Sequence, residues 1–84
     1  MNKLTVAICT FNGAKRLPRL IESLVQLECP IPFEILVVNN NSSDDTQSII
    51  EKLAKEVSIP LRSVIEKEQG IPFARNRAIE ESIN

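Results

Sequence analysis

Two hydrophobic periods alternate along this chain, and that alternation limits the folds open to it. Leu4, Val6, Ala7, Ile8 and Cys9 form a short β-rich run, followed by Leu17, Leu20, Ile21, Leu24 and Val25 at helical spacing. The pattern then repeats. Ile35, Leu36, Val37 and Val38 form a continuous apolar run, as expected of a strand covered on both faces, and Ile49, Ile50, Leu53, Ala54 and Val57 recur with a period near 3.6. A weaker third strand is predicted at about Leu61 to Ile65. The helix after it opens near Pro72, since proline costs nothing at the first helical position, and offers Ala74, Ala78, Ile79 and Ile83 for packing. Three β-α units in succession predict an α/β fold with a parallel, Rossmann-like sheet, right-handed crossovers and helices on its faces.

Punctuation between the elements agrees. Gly13 follows the first strand, Pro30 and Pro32 precede the second, and Pro60 precedes the third. Ser42 and Ser43 are expected to cap the second helix, with Asp44 and Asp45 in its first turn. Glu51 with Lys55, and Lys52 with Glu56, stand at i, i+4 spacing on its solvated side.

Size and charge narrow the function. At 84 residues the chain is one domain at most, and a domain this small buries only about 60–65% of its unfolded surface. Ten Lys and Arg against eleven Asp and Glu supply no basic field, so nucleic acid is not an expected partner and a phosphate ligand needs local groups. No run of apolar residues is long enough to span a membrane. Met1, Asn2 and Lys3 lead directly into a strand-like segment, so the expected location is cytoplasmic. Cys9 and Cys29 lack zinc-site spacing, and without histidine the chain has no imidazole for metal ligation or general-base catalysis.

In an open parallel sheet, ligands bind beyond the carboxyl ends of the strands. The loops there are Cys9-Thr10-Phe11-Asn12-Gly13, Asn39-Asn40-Asn41-Ser42-Ser43-Asp44-Asp45 and Glu68-Gln69-Gly70-Ile71-Pro72-Phe73-Ala74-Arg75-Asn76. Asn39 either serves a turn and helix cap or presents its amide to the edge of a base or sugar. Phe11 either stacks on a nucleobase or folds back onto the first helix. Arg75 and Arg77, at the partially positive end of a helix, either meet an anion or pair with Glu80 or Glu81. Lys15 and Arg16 open the first helix and add to the same rim or remain solvated.

Thr-Phe-Asn after the first strand, Ile-Leu-Val-Val-Asn-Asn-Asn-Ser-Ser-Asp-Asp-Thr through the second, and Gly-Ile-Pro-Phe-Ala-Arg-Asn-Arg-Ala before the last helix resemble the N-terminal part of a family-two glycosyltransferase of GT-A fold. The resemblance spans Leu4 to Ile83. It implies transfer of a sugar from a nucleotide-sugar donor, commonly a uridine diphosphate sugar, to an acceptor that the sequence does not identify. It also implies a nucleotide site drawn from Thr10, Phe11, Asn12, Asn39, Asn41, Arg75 and Asn76, with Asn39 where the family usually has an aspartate facing the uracil. A divalent metal, magnesium or manganese, is expected in such an enzyme, held by an Asp-x-Asp motif that does not occur in this chain. The expectation is therefore a nucleotide-binding half that is inactive by itself, has no catalytic residue of its own, and either self-associates through an open sheet edge or is unusually unstable. The alternative is a small non-catalytic α/β module that binds nucleotides or proteins. Within that class, a receiver domain lacks its acidic pair after the first strand, and a dinucleotide or P-loop site lacks its glycines, since only Gly13 and Gly70 are present.

Overall fold

A computed structural model describes residues 4–26 and 32–82. Met1 to Lys3, Cys29, Pro30 and Ile83 lie outside the described residues. The elements run β1 (Leu4–Thr10), α1 (Leu17–Val25), β2 (Phe33–Asn39), α2 (Thr46–Glu56), β3 (Leu61–Ile65) and α3 (Ile71–Ser82). The strands form one parallel sheet in the order β1-β2-β3, with Leu4 opposite Phe33 and Ile35 opposite Leu61. The expected α/β, Rossmann-like architecture is the one observed.

Central placement explains why β2 is the most apolar strand. Successive side chains of a strand point to opposite faces, so a strand covered on both faces must be apolar at every position. Ile35 and Val37 pack with Leu17 and Ile21 of α1 and Ile50 of α2, whereas Leu36 and Val38 pack with Ala74 and Ala78 of α3. All four β2 residues are fully buried, and each burial is worth roughly 1.5–3 kcal/mol relative to exposure. Two helices thus cover one face and α3 the other.

Helix α3 departs from the expected packing. Its buried stripe is the small pair Ala74 and Ala78, one helical turn apart, which lets the helix axis approach the sheet closely. Ile79 was expected in that stripe, but it lies about 100° further round the helix and is 58% exposed. Ile71 and Phe73 are also exposed.

The start of α2 also differs. Helix α2 begins at Thr46, so Ser42 and Ser43 are not its caps, and Asp44 and Asp45 precede its first turn. Asp44 does the capping work from one position further out, its Oδ1 accepting from the Thr46 N–H at 2.9 Å and from the Thr46 hydroxyl. The serines are engaged elsewhere, in the junction between two loops. Glu51, Lys52, Lys55 and Glu56 are exposed as expected, but no ion pair joins them among the described residues.

Candidate functional site

Two loops meet at the carboxyl end of the sheet and are tied together. Asn12 follows β1 with φ 51°, a left-handed conformation that asparagine tolerates better than most residues. Its backbone N–H donates to Ser42 Oγ at 2.9 Å, and its Oδ1 accepts from the Ser43 N–H at 2.8 Å. The next two amides continue the seam: Gly13 N–H donates to Thr46 Oγ1 at 3.0 Å and Ala14 N–H to Asp44 Oδ2 at 3.4 Å. An added Cβ at Gly13 would lie 2.1 Å from Thr10 Oγ1, so a side chain here forces that hydroxyl to move. Hydrogen bonds from Thr46 and from the Ala14 amide hold the Asp44 carboxyl below its ordinary value of 3.8.

The three asparagines after the β2 core divide between faces. Asn39 lies on the α1/α2 side and is almost wholly buried. Its Nδ2 donates to Gln47 Oε1 at 2.9 Å, its Oδ1 accepts from the Ser42 N–H at 3.1 Å, and Gln47 passes the chain of bonds to Ser63 Oγ. Asn40 lies on the α3 side, where its Nδ2 donates to the carbonyls of Glu66 at 3.2 Å and Glu68 at 2.8 Å. Its Oδ1 accepts from the Gly70 N–H at 2.9 Å. Asn41 turns the chain with φ 56° and is exposed.

Asn40 thereby fixes the loop that leads into α3 and shapes a cavity of about 280 Å³ lined by Cys9, Thr10, Phe11, Asn40, Ile71, Ala74 and Arg75. Phe11 is half exposed and also walls a neighbouring hollow toward Arg16 and Leu20 at the start of α1, so it stands between the two faces. Arg75 is exposed and forms no ion pair among the described residues. Arg77 pairs with Glu81 at 3.2 Å and Glu66 at 3.7 Å. The two arginines therefore separate: one faces the cavity, the other braces α3. Desolvation raises the Cys9 thiol above its ordinary value, and the positive charge of Arg75 partly opposes the shift.

Of the residues singled out by sequence, Thr10, Phe11 and Arg75 come together around this cavity. Asn12 and Asn39 are instead absorbed into the loop junction, and Asn41 and Asn76 do not line the cavity. Sequence reading missed Cys9, Asn40, Ile71 and Ala74. Strand alternation held the clue for Asn40: it lies two positions after Val38 and shares its face.

Larger cavities of about 460 and 410 Å³ lie along the flanks of α1. The larger is lined by Pro18, Ile21, Val25, Leu53 and Val57 together with polar residues, the smaller by Lys15, Arg16, Arg19, Leu20 and Ser23. Among the described residues, no group of three or more Cys, Asp or Glu side chains is placed to hold a metal ion. Among the same residues, no helix is long and apolar enough to cross a membrane.

Comparison with known proteins agrees with this arrangement. The family model described as glycosyl transferase family 2 matches residues 5–83. The uncharacterized glycosyltransferase YfnE of Bacillus subtilis is 34% identical over 77 residues, which is 92% of this chain and 19% of that protein. Poly(ribitol-phosphate) beta-N-acetylglucosaminyltransferase TarS of Staphylococcus aureus is 29% identical over 83 residues, covering 98% of this chain and 14% of TarS. A GalNAc(5)-diNAcBac-PP-undecaprenol beta-1,3-glucosyltransferase of Campylobacter jejuni is 39% identical over 56 residues, covering 67% of this chain and 18% of that enzyme. The chain thus spans less than a fifth of the length of each of these relatives. With the family model covering almost all of it, the chain belongs to glycosyl transferase family 2.

Proposed function

We propose that this chain binds the nucleotide portion of a nucleotide-diphospho-sugar, with a uridine diphosphate sugar as the reference donor, for glycosyl transfer to an acceptor. The observation that carries the reading is the convergence of an exposed aromatic ring, Phe11, and an unpaired guanidinium, Arg75, on one cavity beyond the strand ends. That is where open parallel sheets bind ligands. The ring offers a stacking face for a base, and the guanidinium offers five donors in a fork suited to phosphate oxygens.

Size sets the expected strength. At about 280 Å³ the cavity falls just below the roughly 300–1,000 Å³ of small-molecule sites, enough for a nucleoside but not for a whole nucleotide sugar. Binding is accordingly weak. The transfer itself is a displacement at the anomeric carbon in which the nucleoside diphosphate departs, and this reading assigns no residue of the chain to that chemistry. The metal expected of such an enzyme belongs, on the same reading, to residues other than those described.

Amide chemical shifts followed during titration with uridine diphosphate test the proposal. The expected result is a set of shifts at Thr10, Phe11, Asn40, Ala74 and Arg75. A folded sample with no shifts there up to millimolar ligand overturns it.

A further inference from the structure

Three hollows on this chain run into one another. The cavity beyond the strand ends shares Cys9, Thr10 and Phe11 with a hollow of about 240 Å³, and that hollow shares Arg16 and Leu20 with the one of about 410 Å³ on the flank of α1. A single groove results. It leads from Arg75 past the half-exposed Phe11 ring to Lys15, Arg16 and Arg19, and all four of these bases are exposed.

Charge is sorted along this groove. Among the described residues no Asp or Glu lines any of the three hollows, although the chain carries eleven acids against ten bases. Glu22, the acid of α1, opens instead to the cavity on the other flank, beside Leu53 and Val57. Lys15, Arg16, Arg19 and Arg75 take part in no ion pair among the described residues, and none has an acid as its neighbour in sequence. The other described bases differ: Arg62 and Arg77 are ion-paired, Lys67 stands between Glu66 and Glu68, and Lys52 and Lys55 adjoin Glu51 and Glu56. Like charges gathered this way repel one another, and an anionic ligand relieves the repulsion.

Exposure decides what kind of anion fits. A solvent-exposed charge contact strengthens binding by at most about fivefold, so one phosphate touching one or two of these bases is held weakly. A ligand with phosphates along its length collects several such contacts at once. We infer that the α1 end of the groove, at Lys15, Arg16 and Arg19, binds an extended chain of phosphates. This site goes beyond the nucleotide reading and stands without it, since none of its three bases lines the cavity beyond the strand ends.

Titration of the purified chain with short linear polyphosphate, against inorganic phosphate, tests this by amide shifts and calorimetry. Shifts are expected at Lys15, Arg16, Arg19, Leu20 and Ser23, with an affinity per phosphate at least about tenfold above that of inorganic phosphate and falling as salt is raised. Replacing Lys15→Gln, Arg16→Gln and Arg19→Gln together should weaken polyphosphate by at least about tenfold and leave the melting temperature unchanged, because the three side chains are exposed and lose no ion pair. No binding, shifts confined to other segments, equal affinities per phosphate, or full binding by a folded triple variant each overturns the inference. The shift map of the unaltered chain decides the matter even where the triple variant does not fold. Anionic vesicles or a single-stranded oligonucleotide binding more than about tenfold tighter per phosphate than polyphosphate overturns it in favour of a membrane or a nucleic acid. A failed titration with uridine diphosphate leaves all of these outcomes as they are.

Discussion

Asn39 and Asn40 are neighbours in sequence, yet their amides serve opposite faces of the sheet: Asn39 reaches Gln47 of α2, and Asn40 reaches the backbone of the loop entering α3. One dipeptide therefore anchors both layers of the fold at the end where the cavity opens. Replacing Asn40 with Ala removes three hydrogen bonds and leaves the Glu66 and Glu68 carbonyls and the Gly70 amide without that partner. We expect a loss of about 2–3 kcal/mol in urea unfolding, with the loss of ligand shifts at Ile71 to Arg75.

The two arginines of α3 should separate in function. Arg75→Ala is expected to lower nucleoside diphosphate affinity about tenfold while leaving the unfolding midpoint unchanged, because no ion pair is lost. Arg77→Ala should leave affinity unchanged and cost at most about 1 kcal/mol, the range for partly exposed ion pairs. Calorimetric titration and thermal melts of both variants check this.

Asp44 gives a stability change with a definite sign. Its carboxyl is held below 3.8 in the folded chain, so it stabilises the fold above its unfolded value, and that contribution is lost as pH falls through the folded value. Melting temperatures of the wild type and Asp44→Asn should therefore differ at neutral pH and converge as pH is lowered past about 3.8. A constant difference down to the acid limit would remove Asp44 as the cause.

Gly70 sits at φ 135°, a backbone region that side chains rarely adopt, and an added Cβ would lie 3.2 Å from the Phe73 ring. Gly70→Ala should cost roughly 1–3 kcal/mol through that strain. Denaturant unfolding of the variant measures it.

Cys9 lines the cavity beyond the strand ends with its thiol shifted upward, so alkylation at pH 7 should be slow and should accelerate as pH rises past the ordinary thiol value of 9.0. Saturating nucleoside diphosphate should slow it further. Mass-spectrometric peptide mapping separates Cys9 from Cys29 and reads both effects.

Much of the fold was legible because the apolar periods are strong. Helix α1 and strand β3 fall where their patterns place them, and the unbroken run from Ile35 to Val38 marks the central strand before any pairing is known. Boundaries set by side-chain hydrogen bonds were not legible. Ser42 and Ser43 have the chemistry of caps, yet the left-handed turns at Asn12 and Asn41 bring them to the neighbouring loop instead, and Asp44 reaches Thr46 in their place. The site was legible by location more than by residue. Phe11 and Arg75 reach the cavity, whereas Asn12 bonds residues 30 and 31 positions away, which local spacing does not reveal, and Asn39 is held by Ser42 three positions on and by Gln47 of α2.

The position of β2 also dictates how this chain must reach its structure. Its partners on either side are remote: Thr5 meets Glu34 across 29 positions, and Asn40 meets Glu66 across 26. Neither pairing is local, so each requires closure of a long loop before any burial offsets the lost chain entropy. Because both cores share β2, neither layer has a hydrophobic floor until that strand is flanked. Folding should thus be a single slow cooperative event in which β2 acts as the nucleus, and early collapse around either half alone gains little.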